Sequence, residues 1–360
     1  MCQVAINLLT WNHEFGEVQR CVDAVLVQTF QGFELTITDN GSSNGLVRLI
    51  REKYSHNPKI RIVENRENLG YSGGHNRFLQ SATAEYVMVL NPDAHLHPHF
   101  LCEILPVFQD RRVAAATGKM LRPLQGGERV LDGTGIVLHR TRRARERGQN
   151  EVDRGQYDRC LNIFGVSGTA AVFRRCALEA LKLDDEYFDQ DFFAYSEDLD
   201  LAWRLQLLGY EARFAPTAIV FHRRLVSQPP HGLRRPVQFI RHHRQFSDRR
   251  ALGWRNHVLA LVKNEFGISL LTGLPFILVR EFAILLYISL LEPKNLRVLK
   301  DLFRLLPRML AKRRRIQGSR RVSSRQIGRW FGAVCSEAAS RTASFMLEHT
   351  NDAVTGRSHV

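Results

Sequence analysis

The chain has 360 residues, 44% of them hydrophobic and 24% charged, which allows a large core and excludes wholesale disorder. Its formal charge of +15 calls for a negative partner: nucleic acid, an anionic membrane face or a phosphate-rich substrate. The six cysteines are scattered without a Cys-x-x-Cys pair, which argues against a zinc site or disulfide framework and for a reducing compartment, and no secretory signal opens the chain.

Four short apolar runs read as buried strands: Val4 to Leu9, Phe33 to Asp39, Ile60 to Val63 and Tyr86 to Leu90. Segments with helical spacing lie between them, such as Val18-Cys21-Val22-Val25-Leu26 and Leu46-Leu49-Ile50. This alternation predicts a mostly parallel α/β sheet covered on both faces, with ligands beyond the carboxyl ends of its strands. The charged stretch Arg140 to Arg154 reads as a flexible loop. Beyond it a strand (Val166 to Phe173), an acidic-aromatic stretch (Asp184 to Tyr195), a helix (Glu197 to about Leu208) and a last strand (Ala218 to Phe221) complete the first unit.

The character changes after His222. Residues 223–260 are dense in Arg and His, and Phe266 to Leu291 is almost wholly apolar apart from Pro275 and Arg280-Glu281. That run has the length of a membrane span, but two charges near its centre would each cost about 2.5 kcal/mol or more at mid-bilayer. Two short interfacial helices fit better. Leu302, Phe303, Leu306 and Leu310 would form the apolar side of a third, and Lys312 to Arg315 would meet anionic headgroups. A buried helical subdomain with a basic face is the alternative. No helix-turn-helix, zinc-finger or RNA-binding aromatic signature accompanies the charge, so nucleic acid is not expected. The expected organisation is a catalytic unit over residues 1–222, a helical membrane-proximal segment over 223–316 and a loosely ordered polar tail over 317–360.

Small polar residues gather at the strand ends. Thr10 and Asn12 follow the first strand, and Asp39 ends the second, where its carboxylate suits a ribose hydroxyl or a base N–H. Gly70, Gly73, Gly74 and Asn76 follow the third, and a Gly73-Gly74 pair opening a helix would offer N–H groups to phosphate. Asn91 and Asp93 follow the fourth, with Asp93 a hard oxygen ligand for Mg²⁺ or Mn²⁺. Taken singly, these are also ordinary turn formers. Glu197, Asp198 and Asp200 crowd one helix start behind Phe192-Phe193, which reads equally well as dipole capping or as a general base against an apolar wall.

The order of these segments is more specific than any one of them. Leu9-Thr10-Trp11-Asn12, Thr38 to Ser43, Asn68 to Asn76, Leu90-Asn91-Pro92-Asp93, Ser196 to Leu201 and Ala215 to His222 together resemble the family 2 glycosyltransferases of GT-A fold. They look closest to the rhamnosyltransferase-like branch of bacterial cell-surface polysaccharide synthesis, over about residues 3 to 222. The resemblance implies an inverting hexosyltransferase with a nucleotide-sugar donor, dTDP-rhamnose or a UDP-hexose. Its acceptor would be a saccharide or a polyprenyl-diphosphate-linked saccharide, and its location the cytoplasm, peripheral at the inner face of the cytoplasmic membrane. Asp198 would be the catalytic base with Glu197 supporting it, and Asp93 and His222 would hold Mg²⁺ or Mn²⁺. Thr10, Asn12, Asp39, Gly70, Gly73, Gly74, Asn76, Asn91 and Asp93 would line the donor pocket. Asn91 stands where the family has the first acid of an Asp-x-Asp pair, which leaves fewer charges for the cation. Two alternatives are set against this reading. A nucleotidyl-type enzyme is disfavoured because Leu9 to His13 lacks a Gly- and Lys-rich phosphate loop. A non-catalytic nucleotide- or membrane-binding protein on the same fold is disfavoured by the intact Asp93 and Asp198.

Overall fold

The structure is a computed structural model that describes residues 2–123, 127–223 and 247–332. Most of the Arg- and His-rich stretch (224–246) and the end of the chain from 333, including Cys335, lie outside the described residues. The other five cysteines are free.

The first unit runs β1 (Val4–Thr10), α1 (Phe15–Leu26), β2 (Phe33–Asp39), α2 (Leu46–Tyr54), β3 (Ile60–Glu64), α3 (Gly70–Ser81), β4 (Tyr86–Leu90), β5 (Ala94–Leu96) and α4 (Phe100–Ile104). It continues with β6 (Val113–Leu121), β7 (Leu131–Gly133), β8 (Ile136–Leu138), β9 (Ala144–Glu146), β10 (Asn162–Ile163), β11 (Ala170–Arg174), α5 (Arg175–Leu181), α6 (Glu197–Leu207) and β12 (Glu211–His222). The sheet order is β10-β12-β6-β11-β4-β1-β2-β3, with β5 added on β12 and β7 on β6. β1, β2, β3 and β4 are parallel, as are β6 and β12, while β11 runs antiparallel between β4 and β6.

Alternation along the strands fills two cores. Tyr86, Met88 and Leu90 face α1, α2 and α4, while Val87 and Val89 face α3, α5 and α6. The pairing also explains why distant residues meet at one edge. Thr10 lies beside Asp39, and Leu90 beside Ala170, the first residue of β11. His222, the last residue of β12, is paired with Ala94, next to Asp93.

Four helices follow: α7 (Ser247–Asn264), α8 (Gly267–Leu291), α9 (Arg297–Ser319) and α10 (Ser324–Gly328). Several expectations change here. The 266–291 run is one continuous helix with Pro275 inside, not two short ones. The side of α9 packed into the protein is Leu305, Met309, Lys312 and Ile316, whereas Phe303 and Leu310 are exposed. Lys312 does not reach out to headgroups, because its ammonium is held by Asp189 at 2.5 Å and Asp191 at 2.9 Å. The tail is ordered through Gly332: Trp330 donates to Gln206 on α6, and Phe331 bridges Leu138 and packs on Trp203.

The stretch 140–154 is likewise not a loose loop. β8 and β9 form a hairpin, and Arg142 and Arg147 are almost fully buried. The Arg142 guanidinium pairs with Glu265 at 2.5 Å and stacks 3.7 Å from the centre of the Phe331 ring. Charge density alone suggested solvent there. Glu265 and Ser269, the partners that bury Arg142, lie more than a hundred residues away and carry no local signal.

Candidate active site

The donor-side loops are stitched to one another. Asp39 accepts from Thr10 Oγ1 (3.0 Å), Ser42 N (2.8 Å) and Ser42 Oγ (2.5 Å). Asn12, exposed and left-handed at φ 51°, donates its N–H to Ser42 Oγ and accepts from Ser43 N at 2.8 Å. Thr10, Asn12 and Asp39 are therefore brought together at the ends of β1 and β2, and Trp11 stands half-exposed beside them. Asn91 lies one strand away, its N–H bonded to Thr169 O at 2.9 Å.

The glycine-rich segment plays a different part from the one expected. α3 starts at Gly70, so Gly73 and Gly74 sit inside the helix, buried, and do not open it. A Cβ on Gly74 would lie 2.5 Å from Leu9, so this glycine lets α3 pack closely on β1. Asn76 is buried as well, and all its bonds go to backbone: it accepts from Tyr187 N and Phe188 N and donates to Phe188 O. These three residues hold α3 against the sheet and the acidic segment, and the expectation that Gly73 and Gly74 open the helix is corrected accordingly. Gly70 is closest to the cleft. Its φ of +70° and the Phe193 oxygen 2.4 Å from where a Cβ would stand require glycine.

The acidic half begins with a strained turn. Phe193, Tyr195 and Ser196 all have positive φ (63°, 72° and 69°), a backbone that non-glycine residues hold only when surrounding contacts impose it. The contacts come from α7: the Asn256 amide donates to the carbonyls of Phe192, Ala194 and Tyr195, each at 2.8 Å. The turn delivers Glu197 and Asp198 at the first turn of α6 and leaves the Phe193 and Tyr195 rings exposed. Asp200, two residues on, faces away into a buried ion cluster. It accepts from Lys263 and Arg204, each at 2.9 Å, and from Asn264 at 2.8 Å, while Lys263 and Lys312 also hold Asp189.

The two neighbouring acids differ in environment. Burial, with the Asp198 charge beside it, pushes Glu197 well above the usual glutamate range, and its Oε2 has no hydrogen-bond partner. Burial also raises Asp198, but N–H groups of Leu199 (2.7 Å) and Gly168 bond its carboxylate and oppose the rise. Both are raised, and Asp198 is the one with neighbouring backbone N–H groups, from Leu199 and Gly168, set against the rise.

Gly168 was not singled out from the sequence, which reads as continuous strand from Val166. In the structure β11 starts at Ala170, and the residues before it join the two halves of the site. The Tyr71 hydroxyl of α3 donates to Gly168 O at 2.7 Å, and a Cβ on Gly168 would stand 2.2 Å from that hydroxyl. Thr169 next to it accepts from Asn91, so one short segment fixes Asn91, Tyr71 and Asp198 relative to one another.

Asp93 and His222 meet at the sheet edge. His222 Nε2 lies 3.2 Å from an Asp93 oxygen, and Nδ1 lies 2.7 Å from Asp132, whose side chain is fully buried. Burial alone would depress His222, but bonds to Asp132 and Asp93 outweigh it and push it up to about 9. Asp132, on β7, is a second residue that sequence reading missed. It holds Nδ1–H and turns Nε2 toward Asp93, as an outer partner of a metal-binding histidine does. Among the described residues no group of three or more His, Cys, Asp or Glu side chains could hold a metal. A carboxylate and an imidazole do fit Mg²⁺ or Mn²⁺, provided that substrate oxygens complete the coordination and the Nε2 proton leaves.

Comparison with known proteins agrees with this architecture. The model of the family described as Glycosyl transferase family 2 matches residues 9–182. A poly-beta-1,6-N-acetyl-D-glucosamine synthase from Staphylococcus epidermidis is 24% identical over 223 residues, covering 59% of this chain and 48% of its own length. The Staphylococcus aureus (strain MSSA476) protein of the same name is 23% identical over equal spans, so the chain spans about half the length of these curated relatives. Among solved structures, GalNAc-T7 with UDP, GalNAc and Mn²⁺ superposes with a TM-score of 0.54 at 12% identity, over 72% of this chain and 47% of that one. The mannosyltransferase PcManGT from Pyrobaculum calidifontis, in complex with GDP-Man and Mn²⁺, gives 0.51 at 17% identity, over 90% and 78%. S. aureus TarS 1-349 gives 0.51 at 14% identity, over 88% and 90%. The sheet order and these superpositions give a GT-A fold, and residues 9–182 match the glycosyl transferase family 2 model.

Proposed function

We propose that the chain is an inverting glycosyltransferase that moves a sugar from a nucleoside-diphosphate donor to a hydroxyl of a saccharide acceptor. The observation that carries this reading is the placement of two acids at the start of α6: Glu197 is buried with an unpartnered Oε2, while Asp198 receives two backbone N–H bonds at the mouth of a cleft. Asp198 would take the proton of the acceptor hydroxyl as that oxygen attacks the anomeric carbon. The bond to the nucleoside diphosphate breaks on the opposite face, so the configuration inverts and one proton ends on Asp198. Thr10, Asn12 and Asp39 would bound the nucleoside, and Asn91 and Asp93 the diphosphate. A divalent cation held by Asp93 and His222 supplies charge neutralisation for the departing diphosphate when bound.

dTDP-rhamnose or a UDP-hexose is the donor class the reading favours. The motif order of the rhamnosyltransferase-like branch supports the first, and the fold neighbour solved with UDP, GalNAc and Mn²⁺ supports the second. Residues 1–222 would be the catalytic unit and 223–316 a membrane-proximal one.

The manner in which α8 is held supports a peripheral site at the inner face of the cytoplasmic membrane. The helix is tied along its length: Ser269 to Glu265, Glu281 to His257 at 3.3 Å, and Ile288 into the Trp254 cluster. Its other face exposes Leu271, Leu278 and Phe282, an i, i+7, i+11 stripe open to an acyl layer. α8 is long and apolar enough to cross a membrane, yet these lateral ties fit a helix lying in the interface. A lipid-linked acceptor would meet such an enzyme at that surface.

The reading is tested by hydrolysis and thermal shift with a panel of dTDP-, UDP- and GDP-sugars, with Mn²⁺, Mg²⁺ or EDTA. One or two donors should raise the Tm and be turned over only with metal. Asp93→Ala should lose the metal-dependent part. No response to any sugar nucleotide would overturn the proposal.

A further inference from the structure

The face of the molecule beyond Asp198 is not explained by the donor. A cavity of about 780 Å³ opens there, with Asp198 and Tyr195 at one end and the β8–β9 hairpin as its wall. A second cavity of about 890 Å³ adjoins it and is lined by Trp254, Ile284, Tyr287 and Ile288 together with Arg250 and Arg280. The two share His139, Arg143 and Arg145. Both volumes are in the range of ligand sites.

The charges in this cleft are uneven. Arg280 is paired with Glu281 and Arg250 with Glu292. Among the described residues no carboxylate lies within ion-pair distance of Arg140, Arg143 or Arg145. The cluster is also self-repelling: burial, then the Arg145 and Arg280 charges, lower Arg143, and burial, then Arg145 and Arg143, lower His139. Unpaired guanidinium groups in a partly desolvated cleft are matched by a phosphate, which each can hold through two parallel N–H bonds. The apolar wall on α7 and α8 continues from that position and calls for a hydrocarbon chain.

We propose that the β8–β9 hairpin and the adjoining face of α8 form a subsite for a lipid diphosphate that carries the acceptor sugar. Arg143 and Arg145 hold the diphosphate, Trp254, Ile284 and Tyr287 hold the first part of the chain, and the first cavity leads the sugar to Asp198. The proposal rests on Asp198 as the base, which fixes the sugar end of the cleft. It adds an order along the cleft (base, sugar, phosphate, chain) that makes the enzyme select a phosphate-bearing acceptor.

The test is direct binding to the full chain, separate from turnover. Farnesyl diphosphate is titrated in EDTA, so that the Asp93–His222 pair holds no cation, and is followed by calorimetry. Inorganic pyrophosphate, farnesol and phosphatidylglycerol vesicles are the comparison arms. Arg143→Gln/Arg145→Gln should weaken farnesyl diphosphate by about tenfold or more, the loss of one or two charge-assisted contacts. Arg143→Lys/Arg145→Lys keeps both charges but loses the bidentate fork, so it should bind between wild type and the Gln pair. Pyrophosphate and farnesol should each bind wild type at least about tenfold more weakly than the diphosphate lipid, lacking one half of the contact. Both arginines are exposed side chains, and unchanged binding of UDP with Mn²⁺ reports an intact fold in each variant.

Equal binding by wild type and the Gln pair would overturn the subsite. So would farnesol binding as tightly as farnesyl diphosphate, or full competition by phosphatidylglycerol vesicles at equal phosphate, which would make the cleft a bilayer contact. Because the assay needs no catalysis, an active Asp198→Asn variant would remove the base and leave this result standing, and the reverse also holds.

Discussion

Glu197 and Asp198 are adjacent in sequence and opposite in environment, and two measurements separate them. A carboxyl whose pKa is raised by folding binds its proton more tightly in the native state, so it destabilises the fold once pH rises above the ordinary glutamate value. Glu197 has that raised pKa, so stability should decline as pH climbs from the ordinary glutamate range through its folded value. Glu197→Gln should flatten that decline and raise the Tm at pH values above the ordinary glutamate range; an unchanged or lowered Tm there would contradict the raised pKa. Asp198 is raised as well, so the acid limb of kcat/KM should lie above the usual aspartate pKa of 3.8. At the sheet edge, Asp132→Asn leaves both proposed ligands in place and loosens only the imidazole. Mn²⁺ affinity should fall about 10- to 100-fold, measured by metal titration. The Asp39, Asp93, Asp198 and His222 positions were legible because each follows a strand or starts a helix inside a motif. Asp132 and Gly168 were not, since a three-residue strand and a strand entry carry no pattern, and their partners are 90 and 97 residues away.

Helix α7 bears on the site more than its sequence suggests. Asn256 bonds three carbonyls of the turn that holds Phe193, Tyr195 and Ser196 in left-handed conformations. Asn256→Ala leaves those carbonyls without their shared donor, so the turn should relax and Asp198 should lose its aim. The expected result is a fall in kcat of about 10²-fold, as small misplacements of a positioned group produce, with the UDP Kd unchanged. An equal loss of UDP binding would mean general unfolding. Lys263 lies fully buried between Asp189 and Asp200, so Lys263→Met should cost about 3–5 kcal/mol by leaving buried carboxylates unpaired, read from denaturant melts. The α1 and α2 regions and the strands β1 to β4 were legible from apolar pattern, because α1 and α2 turn one apolar face to the core and β1, β2 and β4 are buried almost throughout. The β8–β9 hairpin was misread as a loop. Its Arg142 is buried by Glu265, Ser269 and the Phe331 ring, contacts that no local window contains.

At the scale of the molecule, the catalytic sheet and the C-terminal helices are one packed body, joined through Lys263, Lys312 and Asn256. Cutting the chain near residue 230 would remove the partners of Asp189 and Asp200, so truncation cannot separate membrane contact from catalysis. Point changes on the exposed stripe can. Leu278→Glu/Phe282→Glu, in side chains 58% and 68% exposed, should abolish flotation with anionic liposomes while leaving donor hydrolysis intact. Unchanged flotation would count against α8 as the contact. Composition made the change of character after His222 legible, as a basic stretch followed by a long apolar run. Its single-helix geometry was not legible, because Pro275 and Arg280-Glu281 read as breaks, whereas Glu281 is satisfied by His257.

The central claim is that Asp198 removes the acceptor proton in a site whose donor half is built separately. It is tested most directly by Asp198→Asn, assayed for sugar transfer to acceptor beside calorimetric binding of the donor nucleotide. The account predicts that transfer falls by about 10²–10⁴-fold, the range of a lost general base, while nucleotide affinity stays within about twofold. Transfer at the wild-type rate with nucleotide binding intact would contradict it.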